Sequence, residues 1–111
     1  MDINSLIKNK EKAFVELCRS HQVDKLYAFG SSITSNFNEE SSDIDVYVQL
    51  TIDEPADRGE ALLSLWNKLE QFFERKVDLL TEDSLKNPYL KANIYRTKKL
   101  IYDRKGEQVS I

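Results

Sequence analysis

Asp43-Ile44-Asp45-Val46-Tyr47-Val48-Gln49-Leu50 alternates polar and apolar residues almost without interruption. A period of two is the mark of a half-buried β-strand. The alternation sets Ile44, Val46, Val48 and Leu50 on one side and Asp43, Asp45, Tyr47 and Gln49 on the other. The predicted sheet therefore has a covered face and a chemical face. Two carboxylates on one strand face repel each other, and folding gains nothing from putting them there. Such a pair is either held for a cation or left on a solvated surface.

Working outward, Lys25-Leu26-Tyr27-Ala28-Phe29 is a short, largely apolar run stopped by Gly30, as expected of a buried strand entering a tight turn. Ser31 and Ser32 begin a polar connection, and residues 36–42, rich in Asn, Ser and Glu, read as a loop. Beyond the central strand, Val77-Asp78-Leu79-Leu80 is a further strand whose parity sets Asp78 opposite Val77 and Leu79. Leu100-Ile101-Tyr102 is a candidate edge strand.

Three helices fill the intervals. Leu6, Ile7, Ala13, Phe14, Leu17 and Cys18 recur at helical steps within residues 4–20. Pro55 opens a second helix, running up to Arg75, whose stripe of Leu62, Leu65, Trp66, Leu69, Phe72 and Phe73 is expected to be core. Asn87-Pro88 has the form of an N-cap followed by Pro at the first helical position, leading into residues 89–95. At 111 residues the chain has room for one core, so we expect a domain at 1–104 and a loose tail at 105–111.

Composition removes several function classes. The chain is 41% hydrophobic and 32% charged, and no apolar stretch approaches the ~20 residues that span a bilayer. No membrane role and a cytoplasmic location are the expectation, since the polar start lacks the layout of a secretory signal. A net charge of −3 argues against an extended nucleic-acid surface. Arg96-Thr97-Lys98-Lys99 is short and reads as a solvated helix end. The lone Cys18 falls on an apolar helix face as a small buried hydrophobe. The lone His21 suits a surface or helix-end role, because zinc sites need more His and Cys than the chain has.

What remains is the acidic set. A strand ending in Gly30-Ser31 leaves backbone N–H groups that can hold phosphate oxygens, and the serine hydroxyl can add to them, although Gly-Ser equally marks an ordinary turn. Asp78 shares side-chain parity with Asp43 and Asp45 and can meet them across the sheet. Hard oxygen ligands select magnesium or manganese, and three carboxylates suit a pair of ions. In two-metal chemistry one ion activates the attacking hydroxyl and the other neutralises the triphosphate and leaving pyrophosphate. Asp43 and Asp45 would bridge both ions, and Asp78 would bind the catalytic one and help deprotonate the nucleophile.

Tyr27-Ala28-Phe29-Gly30-Ser31, then Ser42-Asp43-Ile44-Asp45-Val46-Tyr47-Val48, then Lys76-Val77-Asp78-Leu79-Leu80 resembles, in order and spacing, the signature segments of the minimal nucleotidyltransferases of the DNA polymerase beta superfamily. The stretch from Leu85 through Asn87-Pro88-Tyr89-Leu90 to Ile101-Tyr102 is similar too, so the resemblance covers nearly the whole chain. It implies an α+β fold, a small mixed sheet with helices packed on one face. It also implies two Mg2+ ions on Asp43, Asp45 and Asp78, and a nucleoside triphosphate, usually ATP, at Gly30, Ser31 and Ser32. The activity implied is transfer of a nucleotide monophosphate to a hydroxyl. Family members of this size commonly pair with an HEPN-domain protein, often a toxin, which some inactivate by adenylylating a tyrosine. The family usually continues after Gly-Ser with Arg and Gly, whereas this chain has Ser32-Ile33-Thr34-Ser35, and the interval to Asp43 is about one residue longer. That departure keeps a second expectation open: an antitoxin that neutralises its partner by complex formation alone.

Overall fold

The computed structural model describes residues 3–30 and 43–105. In chain order these form α1 (Ile3–Asn9), α2 (Glu11–Ser20), β1 (Val23–Phe29), β2 (Ile44–Leu50), α3 (Pro55–Phe73), β3 (Val77–Leu80), a 3-10 turn (Glu82–Ser84), α4 (Pro88–Thr97) and β4 (Lys99–Asp103). The four strands make one mixed sheet in the order β3-β2-β1-β4. β1 is antiparallel to both β2 and β4, while β2 and β3 run parallel. A parallel pair needs a crossover, and α3 supplies it.

The single helix expected over 4–20 is divided at Lys10, whose φ of −135° and ψ of 43° leave the helical region. Between Ile7 and Ala13 every residue is polar, so no apolar side chain ties that turn to the core. The break costs little, because Ile3 and Ile7 on one piece and Phe14 and Cys18 on the other all stay buried. α3 begins at Pro55 as expected, with Glu54 as its N-cap: the carboxylate accepts from the N–H groups of Ala56 and Asp57. Asn87 caps α4 in the same way, accepting from the N–H groups of Tyr89 at 2.8 Å and Leu90 at 3.4 Å.

The main core joins Ile3, Ile7, Phe14 and Cys18 to Leu65, Leu69 and Phe73 and to the sheet residues Leu26, Ala28, Ile44, Val46, Val48 and Val77. α1, α2 and α3 thus cover one face, and the Ile44–Val46–Val48 parity is as expected. Phe14 anchors the layer, its ring centroid 5.3 Å from Phe72 and 6.3 Å from Phe73. On the other face Tyr47 is fully buried with Phe29, Leu85 and Ile94 in a smaller cluster. On this face α4 and the 3-10 turn close over Tyr47, while Asp45 is half-buried and Asp78 exposed.

Candidate active site

The Asp45 end of this face is built by three adjacent strands. β1 delivers Phe29 directly opposite Asp45, and the parallel register of β2 and β3 sets Asp45 directly opposite Asp78. Neighbouring strands lie about 4.8 Å apart, so this register holds the two carboxylates on one face within reach of each other. They share a hydrogen bond. Burial, that bond and the negative charges of Asp78 and Asp43 together push the Asp45 carboxyl up to about 6. Two acids that cannot both ionise cheaply are a ready seat for a cation.

Gly30 closes the β1 side. Its φ of +62° lies in the left-handed region that glycine adopts without steric cost, and a Cβ there would stand 3.0 Å from Asp45 Oδ2. The turn and the carboxylate fit only because the side chain is absent. Asp43 is exposed, immediately before β2 begins, and acts on Asp45 through its charge. Among the described residues no three Asp, Glu, His or Cys side chains are gathered as a ready-made metal site. The strands preassemble the Asp45–Asp78 pair, with Asp43 at its mouth. The other expected triphosphate contacts, Ser31 and Ser32, lie outside the described residues.

Trp66 departs from its expected place in the core. It is 41% exposed, with its indole Nε1 donating to the Val77 carbonyl at 2.6 Å. Helical spacing put it on the apolar stripe, but its indole N–H binds the backbone of β3, the edge strand, and the ring stays partly exposed there. A cavity of about 450 Å³ opens there, lined by Phe29, Asp45, Trp66, Asp78, Leu79, Leu80 and Leu90. Nothing in the local sequence marks Leu90 as a member of this wall, because α4 arrives from the opposite face.

Lys98 also differs from the solvated helix end that was expected. Its ammonium lies 4.0 Å from the Tyr95 ring centroid and 4.3 Å from that of Tyr27. Beside it, Glu82 accepts hydrogen bonds from the Tyr47 hydroxyl, from Tyr95 and from Lys91, which hold its carboxyl down to about 2. Burial, and then the same network, push the Tyr47 phenol up. This polar cluster lies two residues along β2 from the acidic pair and ties α4 and the 3-10 turn to the sheet. Cys18 is buried, and burial pushes its thiol up, so it is a packing residue. His21 ends α2, its ring bonded to the Leu17 carbonyl and the Ser64 hydroxyl.

The family model described as polymerase beta, nucleotidyltransferase matches residues 11–107 of this geometry's sequence. The chain belongs to the polymerase beta nucleotidyltransferase family. A protein of Methanocaldococcus jannaschii provisionally named a protein adenylyltransferase is 35% identical over 93 residues, covering 84% of this chain and 88% of the relative. Two more from that organism, provisionally given the same name, are each 32% identical over the same shares. Among solved structures, one described provisionally as a minimal nucleotidyltransferase aligns with a TM-score of 0.59 at 25% identity, over 89% of this chain and 95% of that one. A toxin–antitoxin complex solved with AMP-PNP gives 0.59 at 23% identity, over 87% and 77%. A complex of a tri-AMPylated Shewanella oneidensis HEPN toxin with an MNT antitoxin gives 0.56 at 22% identity, over 90% and 75%. At those identities the last two show a shared fold. This nucleotidyltransferase therefore has the α+β architecture of its family, and among its described residues no helix is long and apolar enough to cross a membrane.

Proposed function

We propose that this nucleotidyltransferase transfers AMP from ATP to a hydroxyl of a partner protein, acting as the antitoxin of an HEPN toxin in the cytoplasm. The observation that carries the reading is the direct opposition of Asp45 and Asp78 on parallel strands, against a glycine that cannot be given a side chain without moving Asp45. The adenylyl group and the protein acceptor are supported by the names of the Methanocaldococcus relatives, and the HEPN partner by the titles of the aligned complexes.

The donor set fits magnesium. It offers only carboxylate oxygens, too few for a protein cage, and magnesium characteristically takes one or two carboxylates and completes its shell with waters and substrate phosphates. Asp45 and Asp78, with Asp43 at the mouth, would hold two ions, which supply charge neutralisation to the triphosphate and the entering hydroxyl. The turn at Gly30, with Ser31 and Ser32, would receive the phosphates through backbone N–H groups and hydroxyls. Asp78, exposed on the cavity side of the pair, is placed to take the acceptor's proton. Phe29, opposite Asp45 on β1, and Leu80 on β3 flank the pair with apolar surface.

The test combines the chain, magnesium, labelled ATP and an HEPN partner, with Asp45→Asn and Asp78→Asn alongside. Label is expected on the partner with wild type and on neither variant's partner. If Asp45→Asn neutralises the partner as well as wild type does, catalysis is not how this protein works. The Ser32-Ile33-Thr34-Ser35 stretch, lacking the family's usual cation, favours the second reading of a binding-only antitoxin, and the same comparison decides between them.

A further inference from the structure

Between Gly30 and Asp43 the chain holds no Lys or Arg, and Glu39 and Glu40 add negative charge to the interval. A triphosphate seated at the Gly30 turn beside three aspartates needs a cation from another element. β4 begins at that place. Ala28 pairs with Lys99, and the antiparallel register carried one residue further sets Lys98 level with Phe29, from which Gly30 leads off. Phe29 is opposite Asp45, and Asp45 is opposite Asp78. One row therefore crosses the whole sheet: Asp78, Asp45, Phe29, Lys98.

The Lys98 side chain rises on the same face as the acids. Its ammonium lies over the rings of Tyr27 and Tyr95, and the Tyr27 ring stacks on Tyr47, which shares its strand face with Asp45. Aromatic rings hold a cation in place without neutralising it. Among the described residues no carboxylate is paired with Lys98, whereas Lys91 is bound to Glu82 at 2.9 Å and Arg58 to Asp83 at 3.0 Å. The backbones of β2 and β4 stand two strand spacings apart, about 10 Å, a gap that a metal-bound triphosphate and a lysine side chain can close together.

We infer that Lys98 binds the β- and γ-phosphates of the donor, as the cation that the interval from Gly30 to Asp43 lacks, and that the Tyr27 and Tyr95 rings position its ammonium. The inference rests on the nucleoside triphosphate reading proposed above. Lys98 is half-buried and its rings fix it before any nucleotide arrives, so little side-chain freedom is lost on binding. A point charge suits the freely rotating terminal phosphates, while the α-phosphate stays with the carboxylates and their metals. Lys76 is the rival cation, but it precedes β3, two strands away from Gly30.

The test is calorimetric binding of a non-hydrolysable ATP analogue and of AMP, each with magnesium, to wild type, Lys98→Met, Lys98→Arg and Lys76→Ala. Wild type is expected to prefer the analogue. Lys98→Met keeps an unbranched side chain against the tyrosines and removes the charge, so it should weaken the analogue about tenfold or more and AMP less than about twofold. Lys98→Arg should restore most of the difference. A readout on wild type needs no variant to fold: acetylation of Lys98 by an amine-reactive reagent, mapped by mass spectrometry, should be suppressed by the analogue and not by AMP. Equal acetylation with both ligands would overturn the inference. So would an equal loss of both ligands in Lys98→Met, which marks a merely structural lysine, or a selective loss of the analogue in Lys76→Ala alone. If the analogue loses affinity in Lys98→Met while wild type transfers no nucleotide to a partner, the phosphate site stands and the catalytic reading falls.

Discussion

Asp45 carries two opposed demands. Its carboxyl titrates near 6 in the folded chain against an ordinary 3.8, so the native state holds a proton more tightly than the unfolded state does. The group therefore favours folding most below about pH 4, and that contribution is lost as pH rises through about 6. Metal-free protein should melt higher at about pH 5 than at about pH 7.5, and magnesium should recover part of the difference at the higher pH. Differential scanning fluorimetry with and without EDTA measures both, and a melting point flat across that range counts against the carboxylate pair. Glu82 acts in the opposite sense, but its window, from 4.5 down to about 2, lies below the one used here. Asp45→Asn removes the repulsion, so it is expected to raise the metal-free melting point while abolishing transfer. Gly30→Ala meets two penalties, a φ of +62° and a contact of 3.0 Å with Asp45 Oδ2. It should cost about 1 kcal/mol or more in denaturant unfolding and lower transfer by about tenfold or more, since a displaced carboxylate misaligns the reacting groups. The glycine and the Asp-x-Asp pattern are visible in the sequence; that they touch is not.

At the scale of elements, period and capping chemistry were legible. The alternation of residues 43–50 marked β2, and Asn87-Pro88 marked the start of α4, where Asn87 accepts two backbone N–H bonds. Asn87→Ala should lower unfolding free energy by about 1 kcal/mol, read from urea titration. The break at Lys10 was illegible, since Ile3, Ile7, Phe14 and Cys18 keep helical spacing straight through it. Trp66 was misplaced for a related reason. Periodicity reports which stripe a residue occupies, but that Trp66 meets the edge strand β3 depends on strand order.

For the molecule as a whole, stability and site share one layer. Phe14 has no exposed surface and packs against both Phe72 and Phe73, tying α2 to the crossover helix that sets the β2–β3 register. Phe14→Ala should cost about 3–5 kcal/mol, a large part of what a domain of this size has, with calorimetry as the measure. If the parallel register is what assembles the acids, magnesium should protect the variant less than wild type. The sequence by itself determined the strands and the starts of α3 and α4, the parity of the three aspartates and, through their order and spacing, the family. Those are local properties, written in alternation, turn residues and intervals. Tertiary structure alone decided that Asp78 lies directly opposite Asp45, that Tyr47 is closed beneath α4, and that Trp66 and Leu90 line one cavity. Each depends on strand order and on which face a helix returns to, and residues far apart in the chain fix those only when they pack.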